Sequence, residues 1–405
     1  MKRELIDSNI EWLGKIPTNW IVQPLKRVIN ERNELNKSEK ETFLLSLTIQ
    51  DGIIPYSEKN GGGNKAKEDI SKYKIVKKND IVINSMNVVV GASGISKYDG
   101  LVSPVYYVFS ETNKSCGRFY NYLFLNQTFE NHLFGLGNGI LVKINEDNGK
   151  MNTIRKKIPI DKLRNEFVPV PPLEEQIKIS NYLDNKVSLI NETIENNKKE
   201  IELLEEYKVS FIDKEIFFEK NNNIKLKYLV KVRNEKGISK TSNEFISLEN
   251  IESRTGNHII TETDYSNCSG KIFKKGDLLI NKLRPYLAKS YLAEFDGVCT
   301  GEIEVISGFW GNIDYLKYYT LSSKYIDLVN SSTYGTKMPR ANWNFIKNML
   351  IPNISIEKQT NVVNNINNIN DKINQVIQYR KQIIEKLEEY KKSLIYEAVT
   401  GKIEV

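Results

Sequence analysis

Apolar side chains recur at a heptad spacing along two stretches of the chain, residues 173–215 and 356–398. Steps of four and three residues alternate, which is typical of a long helix that packs one apolar seam against another helix. Neither stretch contains proline or glycine, so the pattern predicts two helices of roughly 65 Å each. The seam positions are Leu183, Val187, Ile190, Ile194, Asn197, Ile201, Leu204, Lys208 and Phe211 in the first helix, and Ile366, Asn370, Ile373, Ile377, Arg380, Ile384, Leu387, Lys391 and Leu394 in the second.

The two stretches are copies of each other. An offset of 183 residues aligns them without a gap, and the strongest match sets Leu-Glu-Glu-Tyr-Lys at 204–208 against the same five residues at 387–391. A bundle core or a homodimeric coiled coil would explain a single seam. Two equivalent seams in one chain favour pairing with each other. We expect the central residues of the two seams, Asn197 and Arg380, to face each other.

The charges on the seams predict the direction of pairing. In a parallel pair, Lys208 would oppose Lys391. An antiparallel pair instead sets Lys208 near Asn370 and Lys391 near Val187, which avoids opposing like charges. We therefore predict antiparallel helices in which the first seam residue of one helix packs beside the last of the other. The domains that precede the helices are then expected at opposite ends of the pair.

The remaining segments are also diverged copies of each other. KIVKKNDIVIN at 74–84 matches KIFKKGDLLIN at 271–281, and each predicts a Lys-Lys-x-Asp turn followed by a buried strand. Residues 119–133 and 315–329 are aromatic-rich, helix-length and poor in helix breakers. Each segment is thus predicted to be an α+β domain that leads directly into a long helix. The expected divisions are a domain at 1–168, a helix at 169–220, a domain at 221–351, and a helix with a tail at 352–405.

Composition places the chain among folded proteins. It has 405 residues, of which 40% are hydrophobic, and no apolar run approaches membrane-spanning length or a signal peptide, so a cytoplasmic protein is expected. The three cysteines are widely spaced and there are only two histidines. These counts argue against zinc sites, disulfide frameworks and a histidine-activated nucleophile.

The distribution of charge predicts a polyanion as partner. The net charge of the whole chain is +7, whereas residues 173–215 carry −5 and residues 356–398 carry +1. The two α+β segments and the short joins therefore hold a surplus of +11. Such a surplus outside the helices indicates a nucleic-acid-binding surface on the α+β domains.

Sequence signatures of catalysis are missing. Pro171-Pro172 is followed by Leu173 and so does not match the Asn/Asp-Pro-Pro-aromatic motif of adenine methyltransferases, and no glycine-rich cofactor loop follows a strand. The Gly61-Gly62-Gly63-Asn64-Lys65 run lacks the continuation of a phosphate-binding P-loop and is predicted to be a flexible loop. We therefore expect a binding protein with no cofactor or metal of its own.

The motifs in this order, with two of them repeated, resemble the specificity subunits of type I restriction-modification systems. The resemblance covers essentially the whole chain, although Asn353-Ile354-Ser355-Ile356 replaces the Pro-Pro-Leu start in the second copy. The motifs are Ile10-Glu11-Trp12-Leu13-Gly14-Lys15-Ile16-Pro17 with Trp20, Val168 to Gln176, Ile351-Pro352 through Gln359, Leu-Glu-Glu-Tyr-Lys in both helices, and Thr400-Gly401-Lys402-Ile403.

This resemblance implies a division of labour between the parts of the chain. Each α+β domain would be a target recognition domain that reads one half of a bipartite site in double-stranded DNA, across an unread central gap. The paired helices would act as a spacer and as the docking surface for two methyltransferase subunits. In the family, those partners use S-adenosylmethionine to methylate adenine at N6, and restriction subunits translocate and cleave DNA.

Candidate DNA-contacting residues combine suitable chemistry with a loop position. Arginine or lysine suits guanine, and asparagine or glutamine suits adenine, in the major groove. For any one residue, a phosphate contact or a solvated loop is the alternative. The candidates are Lys282, Arg284, Tyr286, Lys337, Arg340 and Asn342 in the second domain, and Asn84, Ser85, Asn87, Lys143, Asn145, Lys150, Asn152 and Arg155 in the first.

Two other classes of protein fit parts of the pattern. One is a free-standing coiled-coil DNA-binding regulator without methyltransferase partners, and the other is a nuclease whose site has no recognised signature. Neither explains why a long helix should follow each domain in two equivalent copies. A regulator should bind its DNA sequence alone, whereas a specificity subunit should do so well only with its methyltransferase partners.

Overall fold

The structure is a computed structural model that describes residues 3–38, 40–48, 51–59, 69–86, 91–137, 157–219, 222–335 and 337–405. The chain divides into two compact units, one formed by Met1–Glu195 with Ile383–Val405 and the other by Asn196–Gln382. Each unit combines a sheet-rich domain with part of both long helices, which confirms the predicted α+β class. No helix in the described ranges is both long and apolar enough to span a membrane.

Among its described residues, the first unit has short strands, three short helices, the start of one long helix and the end of the other. Its elements are β1 (Leu5–Asp7), β2 (Lys15–Pro17), β3 (Ile21–Pro24), β4 (Ile29–Glu31), β5 (Leu45–Thr48), β6 (Gly52–Pro55), β7 (Lys74–Val76), β8 (Ile81–Asn84), β9 (Ser93–Ile95), β10 (Gly100–Val102), β11 (Tyr106–Glu111), α1 (Gly117–Phe124), α2 (Gln127–Leu136), α3 (Ile160–Asn165), β12 (Phe167–Val170) and α4 (Leu173–Ile216), which continues into the second unit. One antiparallel sheet has the order β4-β11-β8-β9, and the unit also contains the two-stranded pairs β1-β2, β5-β6, β7-β10 and β3-β12.

The second unit repeats this plan. Its elements are β13 (Asn223–Lys225), β14 (Val230–Arg233), β15 (Lys236–Ile238), β16 (Phe245–Ile246), β17 (Ser269–Phe273), β18 (Leu278–Asn281), β19 (Ser290–Leu292), β20 (Gly297–Cys299), β21 (Ile303–Phe309), α5 (Ile313–Leu321), α6 (Ser323–Ser331), α7 (Trp343–Ile346), β22 (Leu350–Pro352) and α8 (Ile356–Val399), which continues into the first unit. The sheet β14-β21-β18-β19 has the same order as its counterpart, and β13-β22 corresponds to β3-β12. A second sheet has the order β15-β17-β20-β16. The internal repeat read from the sequence is therefore a repeat of the fold.

The buried strands predicted after each Lys-Lys-x-Asp turn are β8 and β18, and each turn is fixed by a buried aspartate that pairs with a partly exposed arginine. Asp80 Oδ2 accepts the backbone N–H of Lys77 at 2.7 Å and a hydrogen bond from Arg32 Nε at 2.7 Å. In the second unit, Asp277 Oδ2 accepts the Lys274 N–H at 2.9 Å and a hydrogen bond from Arg233 Nε at 2.9 Å. Each aspartate thus closes its own turn and ties the buried strand to the arginine-bearing segment that starts the domain.

The two long helices match the heptad prediction. Both contain 44 residues, and their first residues, like their last residues, are related by the repeat offset of 183. Every seam position of α4 and α8 is buried or half-buried, including the polar ones. The seam therefore identifies the packed face of each helix.

Within each unit, the two helices pair in the antiparallel direction. In the first unit, Leu183 shares a core with Leu394. In the second unit, Ile366 packs instead with Ile212 and Ile216 near the end of α4. The predicted central pair is also present, because Arg380 Nη1 donates a hydrogen bond to Asn197 Oδ1 at 3.1 Å. Antiparallel pairing is confirmed.

The partners of the two seam lysines lie one helical turn beyond the predicted ones. Lys208 Nζ donates to Asn374 Oδ1 at 3.0 Å, where proximity to Asn370 was predicted. Lys391 Nζ donates to Asn191 Oδ1 at 3.0 Å, one turn past Val187. Helical side chains lean toward the N-terminus of their own helix, which in an antiparallel pair is toward the C-terminus of the partner. That lean moves both lysines in the observed direction.

The two aromatic-rich segments each form two helices rather than one. Asn126 lies just after the C-terminal cap of α1 and caps α2, since its side chain accepts the Thr128 N–H at 2.9 Å. Ser322 separates α5 from α6 in the same way, as its hydroxyl accepts the Tyr325 N–H. A side-chain cap offers the backbone an alternative to continuing the helix. The reading of each segment as a single helix-length element is corrected accordingly.

A buried carboxyl in α2 makes a pH-dependent contribution to stability. Burial raises the pKa of Glu130 to about 7, and nearby Lys392 opposes the shift only in part. Stability from this site is fully present below the usual glutamate pKa and is lost as pH rises through about 7. We expect Glu130→Gln to leave stability nearly unchanged near pH ~4 and to raise it by about 3 kcal/mol at pH ~8. Thermal unfolding across a pH series measures this, and a difference that is constant with pH would contradict it.

Candidate nucleic-acid interface

The two candidate loops of the second unit lie side by side. Leu283 and Arg340 form an isolated antiparallel bridge. The Arg284 N–H donates to the Pro339 carbonyl at 2.7 Å, and the Ala341 N–H donates to the Lys282 carbonyl at 2.9 Å. Residues 282–286, 334–335 and 337–342 therefore form one continuous patch, which we call the loop surface. The structure thus brings together all six candidates of the second domain.

The four basic candidates on the loop surface differ in how they are neutralised. Lys282 Nζ lies 2.8 Å from Glu304 Oε2, a carboxylate that also binds Lys271. Arg340 Nη2 lies 2.5 Å from Glu302 Oε1. Neither Arg284 nor Lys337 forms an ion pair with any described residue. A polyanion would meet two available cations here and two that already have carboxylate partners.

A strained turn positions Arg284 and Tyr286. Arg284 and Ala288 both have left-handed backbone conformations, with φ of 49° and 47°, and they flank the 3-10 turn Pro285–Leu287. The Leu287 N–H donates to the Arg284 carbonyl at 3.0 Å, and the Ala288 N–H donates to the Pro285 carbonyl at 2.9 Å. Left-handed conformations are unfavourable for residues with a side chain and persist only when their surroundings enforce them. The turn therefore holds both side chains in defined positions.

The polar candidate Asn342 is engaged in local structure. Its side-chain Oδ1 accepts the Asn344 N–H at 2.8 Å and so caps α7. Adenine readout by asparagine uses the amide oxygen as well as the amide nitrogen. Asn342 would have to give up this cap to read adenine.

In the first unit, Asn84 and Ser85 also have structural partners. Asn84 Oδ1 accepts the Met86 N–H at 3.1 Å, just as Asn281 Oδ1 accepts the Leu283 N–H in the second unit. Ser85 is 0% exposed and its hydroxyl donates to the Val105 carbonyl at 2.6 Å. The other candidates of this domain lie outside the described residues, namely Asn87, Lys143, Asn145, Lys150, Asn152 and Arg155.

Two glutamines that end motifs of the family resemblance, Gln176 and Gln359, fasten each domain to its long helix. Gln176 Oε1 accepts the Cys116 N–H at 2.9 Å, and Gln359 Oε1 accepts the Asn312 N–H at 2.8 Å. Each amide nitrogen also donates to the carbonyl five residues earlier, at 2.8 Å and 3.0 Å. Because both glutamines are buried, their recurrence at an offset of 183 was the signal of a shared structural role.

Outside the seams, the two copies expose apolar side chains at equivalent positions. Tyr207 and Tyr390, from the repeated Leu-Glu-Glu-Tyr-Lys motif, are each 52% exposed. Two further pairs of apolar residues, each related by the offset of 183, are also exposed. One pair lies at the first residue of each long helix, and the other lies six residues earlier. These are Leu173 with Ile356 and Phe167 with Leu350. The repeat thus preserves apolar groups that the cores do not use.

Known proteins share this sequence pattern and this fold. Residues 21–206 match the family model of the type I restriction modification DNA specificity domain. The type I restriction enzyme EcoDI specificity subunit of Escherichia coli is 26% identical over 96 residues. That alignment spans 23% of this chain and only 21% of the relative.

Two solved structures are similar over nearly the whole chain. One comes from a study of complex assembly and conformational transition in the type I R-M system, with a TM-score of 0.73, 13% identity and coverage of 96% of this chain and 99% of that chain. The other is the HsdS subunit from Thermoanaerobacter tengcongensis, with a TM-score of 0.55, 13% identity and coverage of 96% and 98%. At this identity the likeness concerns the fold. Together with the family model, it confirms the resemblance drawn from the sequence: the chain is similar to type I restriction-modification specificity subunits, and its residues 21–206 match the model of their DNA specificity domain.

Proposed function

We propose that this chain is the DNA sequence-recognition subunit of a cytoplasmic type I restriction-modification complex. Each α+β domain reads one half of a bipartite double-stranded site, and the segment between the half-sites is not read. The observation that carries the proposal is the repeat of one fold, with a match to the DNA specificity domain in the first copy and a loop surface bearing Arg284 and Lys337 in the second.

In this proposal, the catalytic reactions are carried out by partner subunits. Two methyltransferase subunits bind S-adenosylmethionine and methylate adenine at N6, and restriction subunits join them in the full complex. This chain contributes sequence choice and position, with no catalytic residue of its own. The surplus of positive charge outside the helices suits the phosphate contacts that such positioning requires.

The equivalent exposed residues support docking of two identical partners. Tyr207 and Tyr390 are equally exposed and occupy equivalent positions in the two helices. Exposed aromatic groups are typical anchors of protein–protein interfaces. One partner would bind at each copy of the motif.

Co-expression tests the proposed function. The chain is produced alone and with methyltransferase subunits encoded beside it, and genomic adenine methylation is mapped by single-molecule sequencing. We expect a single bipartite methylated sequence only when both are present, and tight binding of that sequence only by the complex. Tight sequence-specific binding by the isolated chain, without any dependent methylation, would favour the free-standing regulator.

The docking sites make a separate prediction. We expect Tyr207→Glu or Tyr390→Glu to leave one methyltransferase subunit per chain, and the double variant to leave none, because a charge in the centre of an apolar contact opposes its desolvation. Mass photometry of the purified complexes counts the subunits. Ile260→Glu serves as the control, since Ile260 is exposed but lies in neither long helix. Full occupancy in the double variant would contradict docking at these residues.

A further inference from the structure

The loop surface displays three exposed apolar side chains among its cations. Tyr286 is 48% exposed, Tyr334 is 63% exposed and Met338 is 55% exposed. Backbone hydrogen bonds hold their segments together, because Tyr334 and Arg340 exchange bonds of 3.1 and 3.2 Å and the Arg284 N–H binds the Pro339 carbonyl. Grouped apolar exposure of this kind marks a binding surface.

Folding does not account for these three side chains. None of them belongs to a hydrophobic core of the described residues. Tyr286 sits on the turn that the left-handed residues Arg284 and Ala288 enclose, and the strained backbone fixes its position. A ligand is the remaining partner for the apolar groups.

The neighbouring charges favour a polyanion as that ligand, which under the proposed function is duplex DNA. Arg284 and Lys337 lack ion-pair partners among the described residues. Arg284 lies two residues before Tyr286, and Lys337 immediately precedes Met338. Phosphates would satisfy these cations, but neither phosphate nor water is a favourable partner for a phenol ring or a thioether. DNA offers such groups two apolar surfaces, the thymine methyl in the major groove and the face of an unstacked base, and flat rings such as those of Tyr286 and Tyr334 are suited to stack on the second.

We propose that Tyr286, Tyr334 and Met338 form an apolar wedge that enters the base stack and opens one base step in the half-site read by the second domain. The wedge rests on the proposed function and adds a means of discrimination to it. Opening a step costs least where stacking is weak, as at pyrimidine–purine steps. The half-site is then selected in part by its deformability, at a position where no side chain needs to hydrogen-bond a base.

Fluorescent base substitution tests the wedge in the complete complex. The full chain with its methyltransferase subunits is mixed with duplexes of its methylated sequence, in which 2-aminopurine replaces one base at a time, apart from the methylated adenine. We expect fluorescence to rise at one step of the second half-site. The Tyr334→Ala, Met338→Ala double variant should lose that rise and bind about tenfold more weakly, with an unchanged salt dependence.

A mismatch supplies the complementary measurement. A mismatched pair at the same step lowers the cost of opening it, so the wild-type complex should bind the mismatched duplex more tightly than the matched one. The double variant should gain nothing from the mismatch. Thermal unfolding verifies that the variants fold, and the single variant Met338→Ala replaces the double variant should the latter unfold.

Three controls separate the wedge from other contacts. Tyr334→Phe keeps the ring and should keep the fluorescence rise, and Ile260→Ala removes an apolar group outside the loop surface and should change nothing. Lys337→Ala should reduce the salt dependence while keeping the rise. A rise that survives in the double variant, or an affinity loss accompanied by a smaller salt dependence, overturns the wedge. Specific binding to a half-site that stays stacked contradicts the wedge alone, whereas absence of specific binding by the wild type contradicts the proposed function.

Discussion

We expect that lengthening both long helices by four residues will widen the unread gap of the methylated sequence by about 2 bp and leave both half-sites unchanged. The insertions follow Lys199 and Gln382, which are equivalent in the repeat, so the antiparallel partners grow together. Four helical residues add about 6 Å, close to the rise of two base pairs, although a four-residue stutter also unwinds the seam locally. Against an expected starting gap of about 6 bp for half-sites one helical turn apart, this change is easily resolved.

Methylome sequencing of cells that carry the lengthened chain measures both the half-sites and the gap. The matched variant exchanges residues 332–345 for those of another recognition domain and should change one half-site while keeping the gap. A single insertion after Lys199 tests the pairing, because it shifts one seam against the other and should lower the thermal stability. Altered half-site bases in the paired insertion, or an altered gap in the loop exchange, would contradict the division of labour between helices and domains.

Removal of the carboxylate that closes the second Lys-Lys-x-Asp turn is expected to be strongly destabilising. Asp277 is buried, accepts the Arg233 guanidinium at 2.9 Å, and that hydrogen bond raises the pKa of Arg233. Asp277→Ala leaves this arginine with only the exposed Glu235 as a carboxylate partner and the Lys274 N–H without its acceptor. We expect a loss of about 3–5 kcal/mol in the unfolding free energy, measured by denaturant unfolding with hydrogen exchange along β18.

Asp296 provides the matched control for Asp277. It accepts the adjacent N–H of Lys275 at 2.8 Å but is exposed, so Asp296→Ala should cost only about 1 kcal/mol or less. Because each unit has its own copy of the turn, the loss in Asp277→Ala should appear in the second unit, with β8 of the first unit retaining its protection. Equal effects of the two substitutions would mean that burial of the ion pair is unimportant.

The long helices were predictable because the heptad spacing of apolar residues is a local pattern, and the internal repeat shows it in two copies. The seams gave the packed faces, and the charges of Lys208 and Lys391 gave the antiparallel direction. The breaks at Asn126 and Ser322 were not predicted, since an asparagine or a serine inside an aromatic-rich segment is compatible with both a continuous helix and a cap. Which one forms depends on the packing of the flanking aromatic residues.

The residue types of the candidate DNA-contacting loops could be predicted from the sequence, but the contact between the two loops could not. The loops were chosen for their basic residues and their position after a strand or before a helix. That they touch depends on the bridge between Leu283 and Arg340, which no local pattern encodes. The carboxylates of Glu302 and Glu304, which neutralise two of the basic candidates, likewise come from elsewhere in the chain. The roles of the candidates toward DNA stay predictions.

The first unit is built from two segments that are far apart in the sequence, and this affects how it can fold during synthesis on the ribosome. Its core contains Ile16 and Trp20 near one end of the chain and Leu394, Ala398 and Val399 near the other. The second unit, Asn196–Gln382, is continuous and can close as soon as it has emerged. The first unit, although translated first, must wait with an uncovered helix face until residues 383–399 are made. The half of the protein that is translated first is thus the last to finish folding, and its nascent form is the one that most needs protection from aggregation.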